Sequence, residues 1–306
     1  MRAVLRKLSR LVRYGELREA LPTLLPGPAG RAVRRSRLRR EVRRCARHAT
    51  PPVLVYTMSK VASSAVTEAL QSSGLNVFQI HVISAAGVRR IRAGMRARGL
   101  TGARAEVNNL ADLAHAVREE LIKPGRPAKI VTLVREPVAR NVSFYFQILD
   151  DLWQTRAAHE NVPLARLLAE YHDRFSHERS LNWFDEEFKP SLGIDVYEHP
   201  FPREAGFRRI DSGAYEVLVM RHDLDDRRKE EILADFAGVP RVSLAPRNVG
   251  AEKPYAAVYR EFLRRVRLPE AYVDRMLGSR YARHFYTPEE LARVREKWLG
   301  GRAEYV

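Results

Sequence analysis

The chain has 306 residues, of which 45% are hydrophobic and 30% charged, the composition of an ordinary globular protein with one main domain. No segment has the run of about eighteen apolar residues that a membrane span needs, and arginines interrupt the N-terminus where a signal peptide would be apolar. The single cysteine, Cys45, cannot form an internal disulfide or a thiolate cluster for zinc, so we expect a reducing, cytoplasmic location.

The net charge of +17 is concentrated at one end of the chain. The first 50 residues contain fifteen Arg and Lys residues against three acids and carry +12, which leaves +5 for the other 256 residues. The pattern predicts amphipathic helices over residues 1–24 and a basic helix over residues 31–47. We expect residues 1–50 to form a basic helical arm, either solvated beside the domain or in contact with an acidic polymer or the inner face of an anionic membrane.

From residue 51 onward, short apolar runs alternate with segments of helical composition. Strands are predicted at residues 53–58, 77–83, 129–134, 194–197, 216–220 and 242–245. Helices are predicted at residues 62–73 and 110–121, and throughout the C-terminal third from Tyr255 onward. This alternation indicates an α/β domain over residues 51–306, with a mostly parallel sheet flanked by helices in three layers.

The first predicted strand ends in the loop Met58-Ser59-Lys60-Val61-Ala62-Ser63-Ser64, which leads directly into a helix. Such a turn binds phosphate, because the helix N-terminus offers unpaired N–H groups and a favourable dipole. Lys60 supplies a mobile positive charge, and Ser63 and Ser64 lie in the first helical turn. The alternative is that the serines only cap the helix and that Lys60 is a surface lysine.

The loop differs from that of a nucleotide triphosphatase. The motif G-x-x-x-x-G-K-[ST] requires glycines, whereas this loop has none and has Val61 after its lysine. Such an enzyme also needs an aspartate for Mg²⁺ at the end of a neighbouring strand, where this chain has Arg135. An arginine there repels a metal ion and attracts an anion, so we predict a metal-free site for a nucleotide with a separate phosphate.

The third predicted strand leads into Val134-Arg135-Glu136-Pro137-Val138-Ala139-Arg140-Asn141-Val142-Ser143. Arg135 ends the strand and Ser143 lies about two turns along a helix that begins near Pro137, so both can approach one phosphate. The alternative for Arg135 is an ion pair with a nearby acid such as Glu136.

The segments YTMSKVASSAV and VREPVARNVSFYF resemble the two donor-binding elements of the sulfotransferase superfamily, whose donor is 3′-phosphoadenosine 5′-phosphosulfate (PAPS). The segments NWFDEEFKPSLGIDVYEHPFP and RNVGAEKPYAAVYREF further resemble a bacterial branch of capsular polysaccharide synthesis proteins. The resemblance covers residues 51–300. It implies a P-loop-like sulfotransferase fold and transfer of a sulfuryl group from PAPS to a hydroxyl of a carbohydrate or glycolipid acceptor.

The resemblance also implies roles for individual residues. Lys60 bridges the 5′-phosphate and the leaving oxygen, and Arg135 and Ser143 hold the 3′-phosphate. The loop 247–253 closes over the nucleotide, unless it is an ordinary basic surface loop. The implied donor-binding residues are Ser59, Lys60, Ala62, Ser63, Ser64, Arg135, Ser143, Arg247 and Lys253. The family often has Gly or Ser directly after the loop lysine, a position that Val61 occupies in this chain.

The acceptor hydroxyl needs a general base. His81 lies near the end of the second predicted strand, at the edge where parallel sheets bind ligands, and is the first candidate for a catalytic role beside Lys60. The alternative is a half-buried histidine with a backbone partner. Glu106 and His115 are further candidates, because related enzymes use either residue type from this part of the chain.

An aromatic segment follows the second phosphate element and suits either a sugar-binding wall or a hydrophobic core. Its members are Trp183, Phe184, Phe188, Tyr197 and His199. Lys189 and Arg203 lie nearby and could meet an acidic glycan.

Two other function classes compete with the sulfotransferase hypothesis. One is a kinase-like enzyme on a related P-loop fold, which the glycine-free loop and Arg135 disfavour. The other is a non-enzymatic protein that binds nucleic acid or a membrane surface through its basic N-terminus. Because the charge lies outside the predicted domain, we expect no specific nucleic acid partner.

Overall fold

The computed structural model describes residues 28–97, 105–245 and 253–300. Their strands form a five-stranded sheet in the order β2-β1-β3-β5-β4. The strands are β1 (Val53–Tyr56), β2 (Val77–Ile80), β3 (Ala128–Val134), β4 (Phe207–Ser212) and β5 (Tyr215–Arg221). Neighbouring strands are parallel except β4, which is antiparallel to β5. The predicted α/β class with a mostly parallel sheet is therefore confirmed.

Helices account for most of the remaining described residues. The first eight are α1 (Pro28–Ala46), α2 (Ser63–Ser72), α3 (Ala85–Ala97), α4 (Ala105–Val117), α5 (Pro137–Gln147), α6 (Leu149–Trp153), α7 (Ala158–Asn161) and α8 (Leu164–Ala169). The others are α9 (Tyr171–Arg174), α10 (Arg179–Trp183), α11 (Lys189–Leu192), α12 (Asp226–Ala237), α13 (Ala256–Arg265), α14 (Glu270–Leu277), α15 (Arg280–Phe285) and α16 (Pro288–Leu299). π-helical turns at Arg118–Ile122 and Phe184–Phe188 extend α4 and α10, and a 3-10 turn spans Val196–Glu198.

The central strands are buried on both faces. Each residue of β1 is at most 1% exposed, and β3 is almost as deeply buried. This explains why both strands have continuous apolar sequences, since a parallel sheet covered by helices has no polar face. A second core lies away from the sheet, between α5 and the C-terminal helices α13, α14 and α16. None of the helices in the described ranges is long and apolar enough to cross a membrane.

Two predicted strands are wrong and one strand was missed. Val196–Glu198 forms a 3-10 turn, because the Asp195 side chain accepts a hydrogen bond from the Tyr197 amide (2.9 Å) and curls the chain. Residues 242–245 are irregular, and the side chains of Val242 and Leu244 are buried without strand pairing. The edge strand β4 has charged, mostly exposed residues around Ile210, so it lacks the apolar run of a central strand.

The described part of the basic N-terminal segment, α1, packs against α4 and the π-helical turn after it. Arg39 and Arg43 both bind Glu120, each with a shortest N···O distance of 2.7 Å, and these contacts hold the pKa of Glu120 at about 2. Val42 is fully buried in the main core. The predicted helices over residues 1–24 lie outside the described residues, and the division between arm and domain at residue 50 stays a prediction.

Candidate functional site

The two predicted phosphate loops lie side by side. Lys60 follows β1 and Arg135 follows β3, and these strands are neighbours in the sheet. From β1 the chain proceeds to β2 on one side, whereas from β3 it proceeds to the β4–β5 pair on the other. Open α/β sheets bind ligands at such a reversal of strand order. The loops also touch, since the Arg135 Nη1 atom donates a hydrogen bond to the Lys60 carbonyl (3.1 Å).

The loop after β1 has an unusual backbone. Lys60 and Ala62 have positive φ angles of 70° and 64°, the left-handed region that favours glycine. Ala62 precedes the first residue of α2 and provides no side-chain cap for its N–H groups. Ser63 is buried and its hydroxyl accepts a hydrogen bond from Gln79 Nε2 (2.8 Å), so it does not cap the helix either. The first turn of α2 therefore has no side-chain cap for its N–H groups.

Replacing Ala62 with glycine is expected to stabilise the protein. The left-handed conformation costs a non-glycine residue about 1–2 kcal/mol, which exceeds the entropy that glycine adds to the unfolded chain. We expect a gain of up to about 1 kcal/mol in the free energy of unfolding, measured by urea titration. The control is Ala65→Gly inside α2, which should instead lose about 1 kcal/mol. If both variants were less stable than the wild-type protein, the conclusion that Ala62 is strained would be wrong.

Positive charges surround Lys60. Burial, and then the charges of Lys253, Arg135 and Arg140 in that order, lower the pKa of its ammonium group to about 8. Arg140 is only 3% exposed, and burial followed by the charge of Arg179 lowers its pKa to about 9. We call Lys60, Arg135, Arg140 and Lys253 the cationic cluster. Neighbouring cations that are partly buried repel one another and lose hydration energy, and a bound anion offsets both costs. This cluster therefore suits an anionic ligand.

Arg140 was not among the predicted site residues. It lies on the first turn of α5, five residues after Arg135. Its position in the strand-to-helix turn is the one sequence signal that marks it. Its guanidinium donates hydrogen bonds to the Ser59 carbonyl (Nε, 3.2 Å) and to the Ser59 hydroxyl (Nη2, 3.3 Å). It thus joins the second phosphate element to the first.

Arg135 is fixed at its backbone. The Tyr281 hydroxyl accepts from the Arg135 amide (3.1 Å) and donates to the Arg135 carbonyl (2.9 Å). Ser143 is half-exposed on α5. Burial raises the pKa of the Tyr259 phenol, and both the charge of Arg135 and the side chain of Ser143 oppose this shift. Arg135 and Ser143 therefore both lie near Tyr259, which is consistent with two residues that bind one phosphate.

The alternative partner of Arg135, Glu136, is engaged elsewhere. Its carboxylate accepts hydrogen bonds from the amides of Val138 and Ala139 (both 2.7 Å) and from Trp298 Nε1 (2.9 Å). It thereby caps α5, and burial raises its pKa. No ion pair among the described residues joins Glu136 to Arg135.

His222 adds a residue at a third strand end that sequence reasoning missed. It follows β5, and its amide donates to the Val134 carbonyl (2.9 Å). Burial, and then the charge of Arg135, lowers the pKa of the imidazole to about 3, so the ring is neutral at pH 7. Its position at a strand end does not by itself predict a site residue, because no phosphate-binding pattern lies next to it in the sequence.

His81 follows β2 directly. Its Nδ1 atom lies 2.6 Å from the Thr57 carbonyl, so the proton resides on Nδ1 and leaves Nε2 as an acceptor. Burial lowers the pKa of the ring; the Thr57 contact opposes this shift and the charge of Arg140 reinforces it. Trp183 Nε1 donates to the His81 carbonyl (3.2 Å) and fixes the backbone. The backbone partner therefore sets the neutral tautomer that a general base needs.

Of the two other candidate bases, the structure describes the side chain of His115, which lies on the last turn of α4 beside Arg118 (Nη2 to Nδ1, 3.3 Å). Glu106 lies on the first turn of α4, and its side chain is outside the described part. Arg247 also lies outside the described residues.

The aromatic segment belongs mainly to the core. Trp183, Phe184 and Phe188 are at most 7% exposed, and Phe188 stacks on Tyr56 with ring centroids 5.4 Å apart. Tyr197 is half-buried beneath Arg280, whose guanidinium carbon lies 4.1 Å from the ring centroid. The alternative of core packing is thus confirmed for the first three residues.

The polar residues of the same segment differ in how they are bound. Lys189 forms an ion pair with Asp195 (2.7 Å), which raises the pKa of the lysine. Arg203 Nε donates weakly to the His284 carbonyl (3.4 Å), and His199 is half-buried. The ammonium group of Lys189 is therefore already paired with a carboxylate of the same chain.

Glu187 is a further residue that sequence reasoning missed. It is 3% exposed, and one carboxylate oxygen, Oε1, accepts from the amides of Ile83 (2.6 Å) and Ser84 (2.8 Å) and from the Tyr56 hydroxyl (2.8 Å). Its Oε2 atom accepts from the Ser84 hydroxyl (2.5 Å). Glu187 thereby fixes the turn that begins at His81.

Residues 162–287 match a family model described as "Putative capsular polysaccharide synthesis protein". The matched span contains β4, β5, His222 and Lys253, whereas the loops at Lys60 and Arg135 lie before it. The predicted resemblance to capsular polysaccharide synthesis proteins is therefore confirmed over this span. No curated protein and no solved structure matches the chain.

Proposed function

We propose that the chain is a PAPS-dependent sulfotransferase that transfers a sulfuryl group to a hydroxyl of a carbohydrate or glycolipid acceptor. The observation that carries the proposal is the cationic cluster at the carboxyl ends of β1 and β3. Two basic strand-to-helix turns in contact suit a donor that is phosphorylated at two positions. The family description supports a role in capsular or extracellular polysaccharide biosynthesis.

The described residues fit such a donor. Lys60 and the first turn of α2 would hold the 5′-phosphate, and Arg135 with Ser143 the 3′-phosphate. Bound PAPS supplies an activated sulfuryl group, whose bond to the phosphate oxygen breaks as the acceptor oxygen attacks sulfur. His81 Nε2 accepts the proton of the acceptor hydroxyl, and Lys60 neutralises the charge on the departing phosphate oxygen. The products are the sulfated acceptor and 3′,5′-adenosine bisphosphate.

Calorimetric titration distinguishes this proposal from a kinase-like enzyme. We expect 3′,5′-adenosine bisphosphate to bind in the micromolar range and more tightly than 5′-AMP, which lacks the group that Arg135 contacts. ATP with Mg²⁺ should bind more weakly than the bisphosphate. Preference for ATP with Mg²⁺ would overturn the proposal.

The affinity for the bisphosphate should also fall as the pH rises from 7 to 9. Lys60 in the free protein loses its proton near pH 8, and an anion stabilises the protonated form, so binding in this range requires proton uptake. Titration in buffers of different ionisation enthalpy measures this uptake. The Lys60→Met variant should lack the uptake; a variant that retains it would assign the proton to another group.

A further inference from the structure

We infer that Arg140 is a positioning residue, which holds the Lys60 loop from beneath and orients its peptide groups toward the bound donor. The inference rests on the proposed function for the identity of the ligand, but its structural part concerns the protein alone. Because Arg140 is only 3% exposed, it acts through the loop and not by contact with a ligand.

The hydrogen bonds of Arg140 define the orientation of one peptide plane. In a trans peptide the C=O and the following N–H point in opposite directions. Since the Ser59 carbonyl points at the Arg140 guanidinium, the N–H of Lys60 points away from it. Arg135 acts in the same way on the next peptide, because it binds the Lys60 carbonyl and so turns the N–H of Val61 away from its own guanidinium.

Arg140 is itself rigidly held. Its guanidinium carbon lies 4.4 Å from the centroid of the Phe144 ring, and Nη1 donates to the Asn141 side chain (3.3 Å). Within the part of the chain that the structure describes, Arg140 forms no ion pair with a carboxylate. A buried arginine bound to neutral acceptors adds positive potential to the loop, and this charge also acts on the His81 ring.

Two substitutions separate the hydrogen bonds of Arg140 from its charge. Arg140→Lys keeps the charge but loses the planar fork that reaches both Ser59 atoms. Arg140→Gln loses the charge as well. In both variants we expect faster hydrogen exchange of the amides of residues 59–63 without ligand, and about a ten-fold higher KM for PAPS from the loss of hydrogen bonds to a charged group.

The pH dependence should differ between the two variants. Burial, and to a smaller extent the charge of Arg140, lowers the pKa of the His81 ring. In Arg140→Gln the pKa of His81 should therefore rise, which histidine NMR titration detects directly, and the acid limb of the kcat profile should move to higher pH. In Arg140→Lys both should stay near their wild-type positions.

Two controls protect the test. Arg166→Lys, at an exposed arginine of α8 paired with Glu170, should leave loop exchange and KM unchanged. Ser59→Ala removes only the hydroxyl contact from a half-exposed loop residue, so it folds even if the Arg140 variants do not, and its loop amides should also exchange faster.

The outcomes separate the inference from the proposed function. If the wild-type protein neither binds the bisphosphate nor transfers sulfate, the proposed function fails, while loop exchange and the His81 titration still decide the role of Arg140. Loop exchange that is unchanged in the folded Arg140→Lys and Ser59→Ala variants would overturn the inference. If the amides of residues 59–63 exchanged faster but the KM for PAPS stayed unchanged, Arg140 would position the loop without affecting donor binding, and that part of the inference would be wrong.

Discussion

Replacing Lys60 with methionine is expected to abolish sulfuryl transfer and, at the same time, to stabilise the folded protein. The fold lowers the pKa of Lys60 from 10.5 to about 8, so at pH 7 the ammonium is less favourable in the folded state than in the unfolded chain. One pKa unit corresponds to about 1.4 kcal/mol, and with allowance for the partial exposure of the side chain we expect a gain of about 2 kcal/mol. This cost is present below pH 8 and disappears as the pH rises toward 10.5.

The loss of transfer should be at least about 10³-fold, because the variant lacks the charge placed to neutralise the leaving group. Release of 3′,5′-adenosine bisphosphate measures transfer, and urea unfolding at pH 7 measures stability. The control is Lys123→Met, at an exposed lysine paired with Glu119, which should change neither quantity appreciably. Normal turnover by Lys60→Met would refute the proposed mechanism, and lower stability would refute the electrostatic cost.

Replacing Glu187 with glutamine is expected to lower the free energy of unfolding by about 2–4 kcal/mol. The wild-type carboxylate accepts five hydrogen bonds, from two amides and three hydroxyls. An amide side chain presents two donors in place of one acceptor oxygen, so at least one of these buried donors loses its partner.

The same variant should lower kcat more than it lowers affinity for the bisphosphate. Ile83 and Ser84 follow His81 closely, so a loosened turn misplaces the base but leaves the cationic cluster intact. The adjacent Glu186 provides the control, because its carboxylate is exposed and pairs with Arg90 at the surface (2.7 Å). Glu186→Gln should change stability by less than about 0.5 kcal/mol. Equal effects of the two substitutions would contradict the role of Glu187.

The sequence predicts well what depends on neighbouring residues. The sequences of β1 and β3 are apolar because both faces of these strands are covered. Lys60 lies in the loop after β1, and Arg135 directly follows β3, which is the neighbour of β1 in the sheet. The two loops lie together because the carboxyl ends of the neighbouring parallel strands β1 and β3 share one edge of the sheet.

The sequence does not reveal what depends on distant contacts. Arg140 acts on Ser59, 81 residues away, and Glu187 acts on Ile83, 104 residues away, and no local pattern marks either residue. Val242 and Leu244 pack on the core, and an apolar sequence does not distinguish such packing from strand pairing. The left-handed conformation of Ala62 was equally hidden, since its residue type disfavours that geometry.

The hydrogen bond from Trp298 to Glu136 has a consequence for the order of events during synthesis. β1 and α2 can form early, because their partner β2 lies close in the sequence. The turn at Glu136, in contrast, obtains its last partner only after α16 has left the ribosome. The half of the site that follows β3 is therefore completed about 160 residues after its own sequence has emerged.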